Sequence, residues 1–310
     1  MADDARMAPS LAEPREYALL DLGAGRQLAR FGALVVDRPY PAAVDSVVDP
    51  AVWATTDLRY ERPDDGGTGE WVSAASRAPD AWTMTHAGMT FELRPTASGQ
   101  VGFFGEQIEP WRWIGGAVRG VAASIAPAAP AILNLFAYTG GGTLAALAAG
   151  AAVTHLDASR SAVAWARRNA DLSGLANAPV RWIADDAVAF VEREARRGRR
   201  YQGLIIDPPS YGHGPNGERW SLSDHLAGLL DACLAVAAQP GFLLLTAHAE
   251  GLRPGDLGFE LAAAFTRSGR ADDAGRVESG PLVLHAASGA DAPAGVYARW
   301  RSHADSRARE

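Results

Sequence analysis

Ala131-Ile-Leu-Asn-Leu-Phe-Ala-Tyr-Thr-Gly-Gly-Gly-Thr143 is the stretch that decides how the rest of this chain is read. It opens as a short apolar run with β character and turns through three consecutive glycines. An alanine-rich helix over residues 144–149 follows at once. A strand, a glycine turn and a helix start in that order make a corner suited to anions and nucleotides. Glycine lets the backbone approach a ligand, and the free N–H groups of the helix start point at it.

Two further stretches complete the pattern. The apolar run 152–156 ends in Asp157, 23 residues after Asn134, where an α/β nucleotide fold places the carboxylate that grips ribose hydroxyls. A third run, Gly203-Leu-Ile-Ile-Asp-Pro-Pro-Ser-Tyr211, ends a strand on an acid and two prolines. Together the three resemble the class I S-adenosylmethionine-dependent methyltransferases. More narrowly, Asn134-Leu-Phe-Ala-Tyr-Thr-Gly140 with Asp207-Pro-Pro-Ser-Tyr211 is similar to the branch containing the bacterial large-subunit ribosomal RNA methyltransferases. The branch's eroded glycine signature is present: Phe136 and Tyr138 stand where the first two glycines would be, and Gly140 alone matches. The resemblance runs from about residue 101 to 301.

That resemblance implies S-adenosylmethionine as cofactor, with Asn134, Phe136, Tyr138, Thr139, Gly140, Asp157 and Asp186 around it. Asp186 would meet the adenine amino group, with Asp185 as the neighbouring competitor. Gln107, with Glu106, lies in the segment Gly102-Phe-Phe-Gly-Glu-Gln107, which resembles a lead-in that the branch carries and implies a place near the donor. Asp207, Pro208, Pro209 and Tyr211 are the expected catalytic group. Asp207 would orient an acceptor, the paired prolines would fix carbonyls for its N–H, and Tyr211 would stack on an extruded base.

The branch's 5-methylcytosine enzymes need a cysteine just after the fifth core strand, where this chain reads Thr246-Ala-His-Ala-Glu250. The chain's single cysteine, Cys233, lies 13 residues before Thr246 among leucines at helical spacing, so it reads as core. The cysteine mechanism is therefore excluded. His248 and His213 are loop histidines with no partner visible in the sequence, and the 214–217 glycine-rich loop is a candidate lid. Trp111, Trp113 and Trp165 read as packing residues.

Composition narrows the classes. A net charge of -7, with all 29 basic residues arginine, gives no footprint for tight non-specific nucleic-acid binding, though a local Arg-lined groove remains compatible. One cysteine rules out an intrachain disulfide framework and a Cys-based zinc site, so no metal is expected. The absence of a signal-like segment or a membrane-length apolar run leads to the expectation of a soluble, cytoplasmic protein.

Along the chain, residues 1–16 read as a disordered lead-in, 17–100 as a β-rich module and 101–310 as the methyltransferase domain. Tyr17-Ala-Leu-Leu-Asp-Leu-Gly-Ala-Gly25 imitates the missing glycine signature, but Leu34 comes nine positions after Gly25, too soon for a crossover helix. Strands are expected at 17–22, 34–36, 70–74, Trp82–His86 and Met89–Leu93, the last two forming a hairpin through Ala87-Gly88. From residue 108 onward, helices and strands alternate: helix Ile108–Ile125, a helix capped by Ser159, one through 190–197, one over 222–238, and a buried strand at 241–246. The fold class is α/β, a doubly wound Rossmann-like methyltransferase sheet behind a small β-rich N-terminal module.

The leading expectation is thus an enzyme that methylates RNA at nitrogen. The alternatives are a small-molecule or protein methyltransferase on the same scaffold, a dinucleotide-dependent oxidoreductase, or a non-catalytic donor-binding protein. Phe136, Tyr138 and the Asp-Pro-Pro corner argue against the oxidoreductase, which wants G-x-G-x-x-G after its first strand.

Overall fold

A computed structural model of the chain describes residues 16–63, 68–75, 77–213, 219–249 and 251–302. The lead-in expected at 1–16 lies outside these residues except for Glu16, and so does the loop 214–217. Two compact units emerge: residues 1–105 together with 283–293, and residues 106–282 together with 294–310. The division falls after Gly105, against the expected 100, and the short stretch 283–293 groups with the first unit.

In the first unit, β1 (Tyr17–Gly23), β2 (Arg26–Phe31), β3 (Leu34–Pro39), the single turn α1 (Pro50–Trp53), β4 (Leu58–Glu61) and β5 (Glu70–Ser73) are followed by β6 (Trp82–His86) and β7 (Met89–Leu93). The first five strands form one sheet in sequence order, and β6 and β7 pair as the expected hairpin. The strand β2 was not foreseen. It fits between Gly25 and Leu34 because tight turns flank it, and it pairs antiparallel with both β1 and β3.

The signature-like stretch 17–25 is therefore one half of a hairpin. Its acid, Asp21, is fully buried and works as a staple. The carboxylate accepts from the backbone of Leu22, Val48 and Asp49, from the Trp53 indole at 2.7 Å and from the Ser288 hydroxyl at 2.6 Å. Phe103, in the lead-in segment, packs on Tyr17, Phe31 and Phe91 with ring centroids 5.0–6.3 Å away.

The second unit runs α2 (Ile108–Ile125), β8 (Ala131–Leu135), α3 (Gly141–Ala148), β9 (Ala152–Asp157), α4 (Arg160–Leu172), β10 (Val180–Ala184), α5 (Ala187–Arg196) and β11 (Tyr201–Ile206). It continues with the small hairpin β12 (Tyr211–His213) and β13 (Arg219–Ser221), then α6 (Leu222–Val236), β14 (Ala237–Ala247), α7 (Pro254–Arg267) and α8 (Ala271–Ala274). The strands β15 (Glu278–His285) and β16 (Asp291–Arg301) complete the order. Seven strands form one sheet in the order β10-β9-β8-β11-β14-β16-β15, parallel from β10 to β14, with β16 antiparallel to β14. That is the doubly wound sheet with an antiparallel end.

Local chemistry explains these elements. Ser159 caps α4 by accepting the Ala162 N–H, and the helix buries Ala162, Val163, Ala166, Asn169 and Ala170 at three- and four-residue spacing. Leu204, Ile205, Ile206 and 242–245 are buried on both faces of the sheet, as parallel strands between helix layers require. The helix α6 stops at Val236 rather than 238. Ala237 instead pairs with Tyr201 in the sheet, and Pro240 cannot extend a helix. Among the described residues no helix is long and apolar enough to cross a membrane.

Candidate active site

Strand order reverses between β8 and β11, so the loops leaving their carboxyl ends diverge and open a crevice there. Register aligns the exits. Leu135 pairs with both Leu156 and Ile206, and Ile206 pairs with Leu245. Phe136, Asp157, Asp207 and Thr246 therefore stand in one row at the carboxyl ends of their strands.

The loop after β8 keeps the backbone of a glycine signature although its side chains differ. Phe136 and Tyr138 hold positive φ angles of 55° and 42°, and Gly140 follows at 92°. Left-handed φ costs a non-glycine residue of order 1–2 kcal/mol, so packing must offset it here. Tyr138 lies beside Trp165, with ring centroids 6.0 Å apart, and Phe136 lies 5.5 Å from the Trp220 ring. Gly140 opens α3, which begins at Gly141 rather than 144 and has no side-chain cap on its first N–H groups. A Cβ on Gly141 would stand 2.1 Å from the Trp111 ring, so no larger residue fits under the loop.

Asn134 is buried behind this loop, where its amide donates to Thr143 Oγ1 at 2.9 Å. His155 Nδ1 lies 2.9 Å from the same oxygen, and burial pulls that ring down to about 3, so it is neutral. Thr139 is buried as well, and its carbonyl accepts the Asn169 amide.

Asp157 ends β9 with one oxygen on the Tyr138 N–H (2.9 Å) and the other on the Ser159 N–H (2.8 Å). Each oxygen keeps a second acceptor position. Burial raises this carboxyl, and the two backbone hydrogen bonds only partly oppose it. The neighbouring acids divide their work. Asp185 binds Arg193 and the Asp186 N–H, while Asp186 caps α5 through the Ala189 N–H at 2.8 Å.

Asp207 is held by three side chains. Its Oδ1 accepts the Thr246 hydroxyl at 2.6 Å and lies 3.3 Å from His248 Nε2, while its Oδ2 accepts the Gln107 amide at 3.1 Å. Gln107 directs its amide to Thr246 Oγ1 as well, at 3.4 Å. The structure thus groups Gln107 with the Asp-Pro-Pro corner. Burial alone would raise the Asp207 carboxyl, but the His248 charge and the hydrogen bonds from His248 and Thr246 hold it below the ordinary carboxylate range. Burial opposes the charged form of His248, yet Asp207 beside it, with Glu106 adding to the effect, pushes the ring up to about 9.

Sequence reasoning missed this partnership. The available signal was alternation: Thr246 and His248 are two apart at the end of a strand that lies next to the one ending in Asp207. Pro208 is buried and Pro209 exposed. The Pro209 carbonyl accepts the Trp220 indole at 2.7 Å, so it is already engaged within the chain. Tyr211 is 81% exposed at the start of β12. Cys233 is fully buried in α6, and burial pushes its thiol up to about 12.

The profile of the S-adenosylmethionine-dependent methyltransferase family matches residues 47–247, well over half of the chain. The chain belongs to that family. S-adenosylmethionine is its methyl donor. A solved S-adenosylmethionine-dependent methyltransferase from Agrobacterium tumefaciens is similar over 92% of this chain and 90% of its own, with 35% identity and a TM-score of 0.84. Ribosomal RNA large subunit methyltransferase I of Klebsiella pneumoniae is 30% identical over 136 residues, 41% of this chain and 31% of that protein. Ribosomal RNA large subunit methyltransferase K of Neisseria meningitidis serogroup B is 32% identical over 117 residues, 36% of this chain and 32% of that protein. The matched region therefore spans about a third of these curated relatives' length.

The residues around the loop after β8 have chemistry compatible with such a donor. A glycine-like loop backbone, an uncapped helix start and the acceptor positions left on Asp157 suit a ligand with ribose hydroxyls and a charged tail.

Proposed function

We propose that this methyltransferase methylates a nitrogen of an RNA base, in an rRNA-like substrate, without a cysteine nucleophile. The observation that carries the reading is the anchoring of Asp207. Thr246, His248 and Gln107 occupy three of the roughly four acceptor positions of a carboxylate and leave one on Oδ2. A fixed carboxylate with one open position suits an acceptor N–H. It orients the nitrogen lone pair, takes up charge as that nitrogen becomes positive and can hold its proton at Oδ2.

When bound, S-adenosylmethionine supplies an electrophilic methyl group. In this reading Asp157 holds the ribose hydroxyls, Asp186 meets the adenine, and the backbone of 136–140 encloses the rest. The exposed Tyr211 ring is the surface on which a base would stack. The inert, buried Cys233 supports chemistry at nitrogen rather than at a ring carbon. The RNA class is supported by the names of the relatives in large-subunit RNA modification. A small-molecule or protein acceptor is the second reading, favoured by the net charge of -7.

The test is Asp207→Ala, assayed on RNA from a strain lacking the gene, with donor titration of the same protein. Transfer should fall by about 10²-fold or more while donor affinity stays within about 3-fold. Unchanged turnover would reduce Asp-Pro-Pro to a turn. Failure of the wild type to methylate that RNA, with transfer to amines intact, would favour the small acceptor.

A further inference from the structure

The ring of His248 is more constrained than a loop histidine needs to be. Its Nδ1 lies 2.8 Å from the Ala294 carbonyl oxygen and its Nε2 lies 3.3 Å from Asp207 Oδ1. Both of these oxygens are acceptors, while the Gln107 amide nitrogen also lies 3.2 Å from Nε2. The Asp207 carboxylate favours the charged ring, in which each ring nitrogen donates to its oxygen and the Gln107 amide turns its hydrogens to Asp207 Oδ2 and Thr246 Oγ1. The backbone is shaped to allow this. Gly295, next to that carbonyl, sits at φ 128°, and a Cβ there would stand 2.8 Å from His248 Nδ1. Gln107, buried, braces the opposite oxygen of the same carboxylate.

We infer that His248 is a positioning residue of the transfer step: it clamps Asp207 Oδ1 from the Ala294 carbonyl, so that Oδ2 alone faces the acceptor. The inference rests on the nitrogen-acceptor reading above and adds a residue to it. The side chains of His248 and Asp207 are 34% and 35% exposed, so the pair stands open to an incoming acceptor rather than sealed in the core. Other groups bearing on the ring are Asp207 from the end of β11, Glu106 and the uncharged Gln107 amide from the turn before α2, and the uncharged Ala294 carbonyl from β16. The two carboxylates favour the charged ring, so the clamp persists through neutral pH. It opens only as pH rises past the ring's value of about 9.

His248→Gln keeps a hydrogen-bond donor but removes the charge and the titration. Single-turnover transfer should fall by about 10-fold or more, with donor affinity within about 3-fold. The wild-type rate should decline above about pH 9, and that decline should disappear in His248→Gln. An alkaline decline that persists in the variant belongs to the substrate and overturns the inference. NMR titration of the ring gives a readout independent of activity. The His248 signal should titrate near 9 in the wild type and return toward the ordinary value of about 6.5 in Asp207→Asn. A ring that titrates at the ordinary value in the wild type also overturns it. If His248→Gln behaves as expected but Asp207→Ala is fully active, the nitrogen-acceptor reading fails instead.

Discussion

The ring of Phe136, in the loop after β8, lies 5.5 Å from the ring of Trp220, whose indole N–H donates to the Pro209 carbonyl at 2.7 Å. One side chain thus touches both that loop and the turn that carries Asp207. Trp220→Phe keeps an aromatic ring and loses the hydrogen bond. The transfer rate should fall by about 5- to 10-fold at unchanged donor affinity, the scale of one neutral hydrogen bond. Trp220→Ala should weaken both, as read by calorimetry beside single-turnover assays.

Asp157→Ala should weaken S-adenosylmethionine binding by about 1.5–3 kcal/mol through the loss of charged hydrogen bonds. The same change frees the Tyr138 N–H, so the loop itself loosens. Calorimetric titration checks this, and unaltered affinity in the folded variant would remove Asp157 from the donor site.

Cys233→Ser should leave methyl transfer intact while lowering stability by about 1–3 kcal/mol, because a hydroxyl replaces a thiol in a fully buried apolar position. Urea unfolding and a transfer assay on the same preparation separate the two effects. An inactive but folded variant would restore a covalent mechanism.

Much of this architecture could be read before any coordinates. The strand–helix alternation of the second unit was legible because Val163, Ala166 and Ala170, or Leu226, Leu229 and Leu230, declare a buried helix face. The strand-end positions of Asp157 and Asp207 were legible because each closes an apolar run. Features set by long-range register were not. The meeting of His248 with Asp207 depends on which strand lies beside β11, and the strands β12 and β13 are three residues each, too short for a periodic signal. Asp-Leu-Gly-Ala-Gly looks the same whether its acid holds a ligand or the protein's own backbone, and it is set aside only because Leu34 follows too soon for a crossover helix; the staple that Asp21 makes was not legible.

Asp21→Ala should destabilise the first unit by about 3–5 kcal/mol, because five donors lose a buried charged partner at once. The group also gives an acid dependence. Burial tends to raise its carboxyl, but the Ser288 and Trp53 side chains and the backbone N–H groups outweigh burial, and the folded value is lowered. Its stabilisation is therefore complete above the unfolded carboxylate value of about 3.9 and is lost as pH falls through the lower folded value. Chemical unfolding of wild type and Asp21→Ala should give midpoints that converge on acidification below pH 4.

Ala87 turns the β6–β7 hairpin at φ 49°, followed by Gly88 at 78°. Asparagine tolerates that conformation better than alanine, and Asn-Gly is a favoured pair for such a turn. Ala87→Asn should raise stability by about 0.5–1 kcal/mol, seen as a higher thermal midpoint with activity unchanged. A lower midpoint would show that the turn has other demands.

The stretch 283–293 has a consequence for how the protein is made. Ala287 and Ser288 donate their backbone N–H groups to Leu19 and Leu20, the Ser288 hydroxyl reaches Asp21, and the Pro293 carbonyl accepts the Tyr40 hydroxyl at 2.7 Å. Translation delivers β1 to β7 early, yet their last partners emerge only when residue 293 has left the ribosome. Vectorial folding, in which an N-terminal domain finishes before its successor is synthesised, is closed to this chain. The first unit must wait, partly assembled, through the synthesis of nearly the whole second unit.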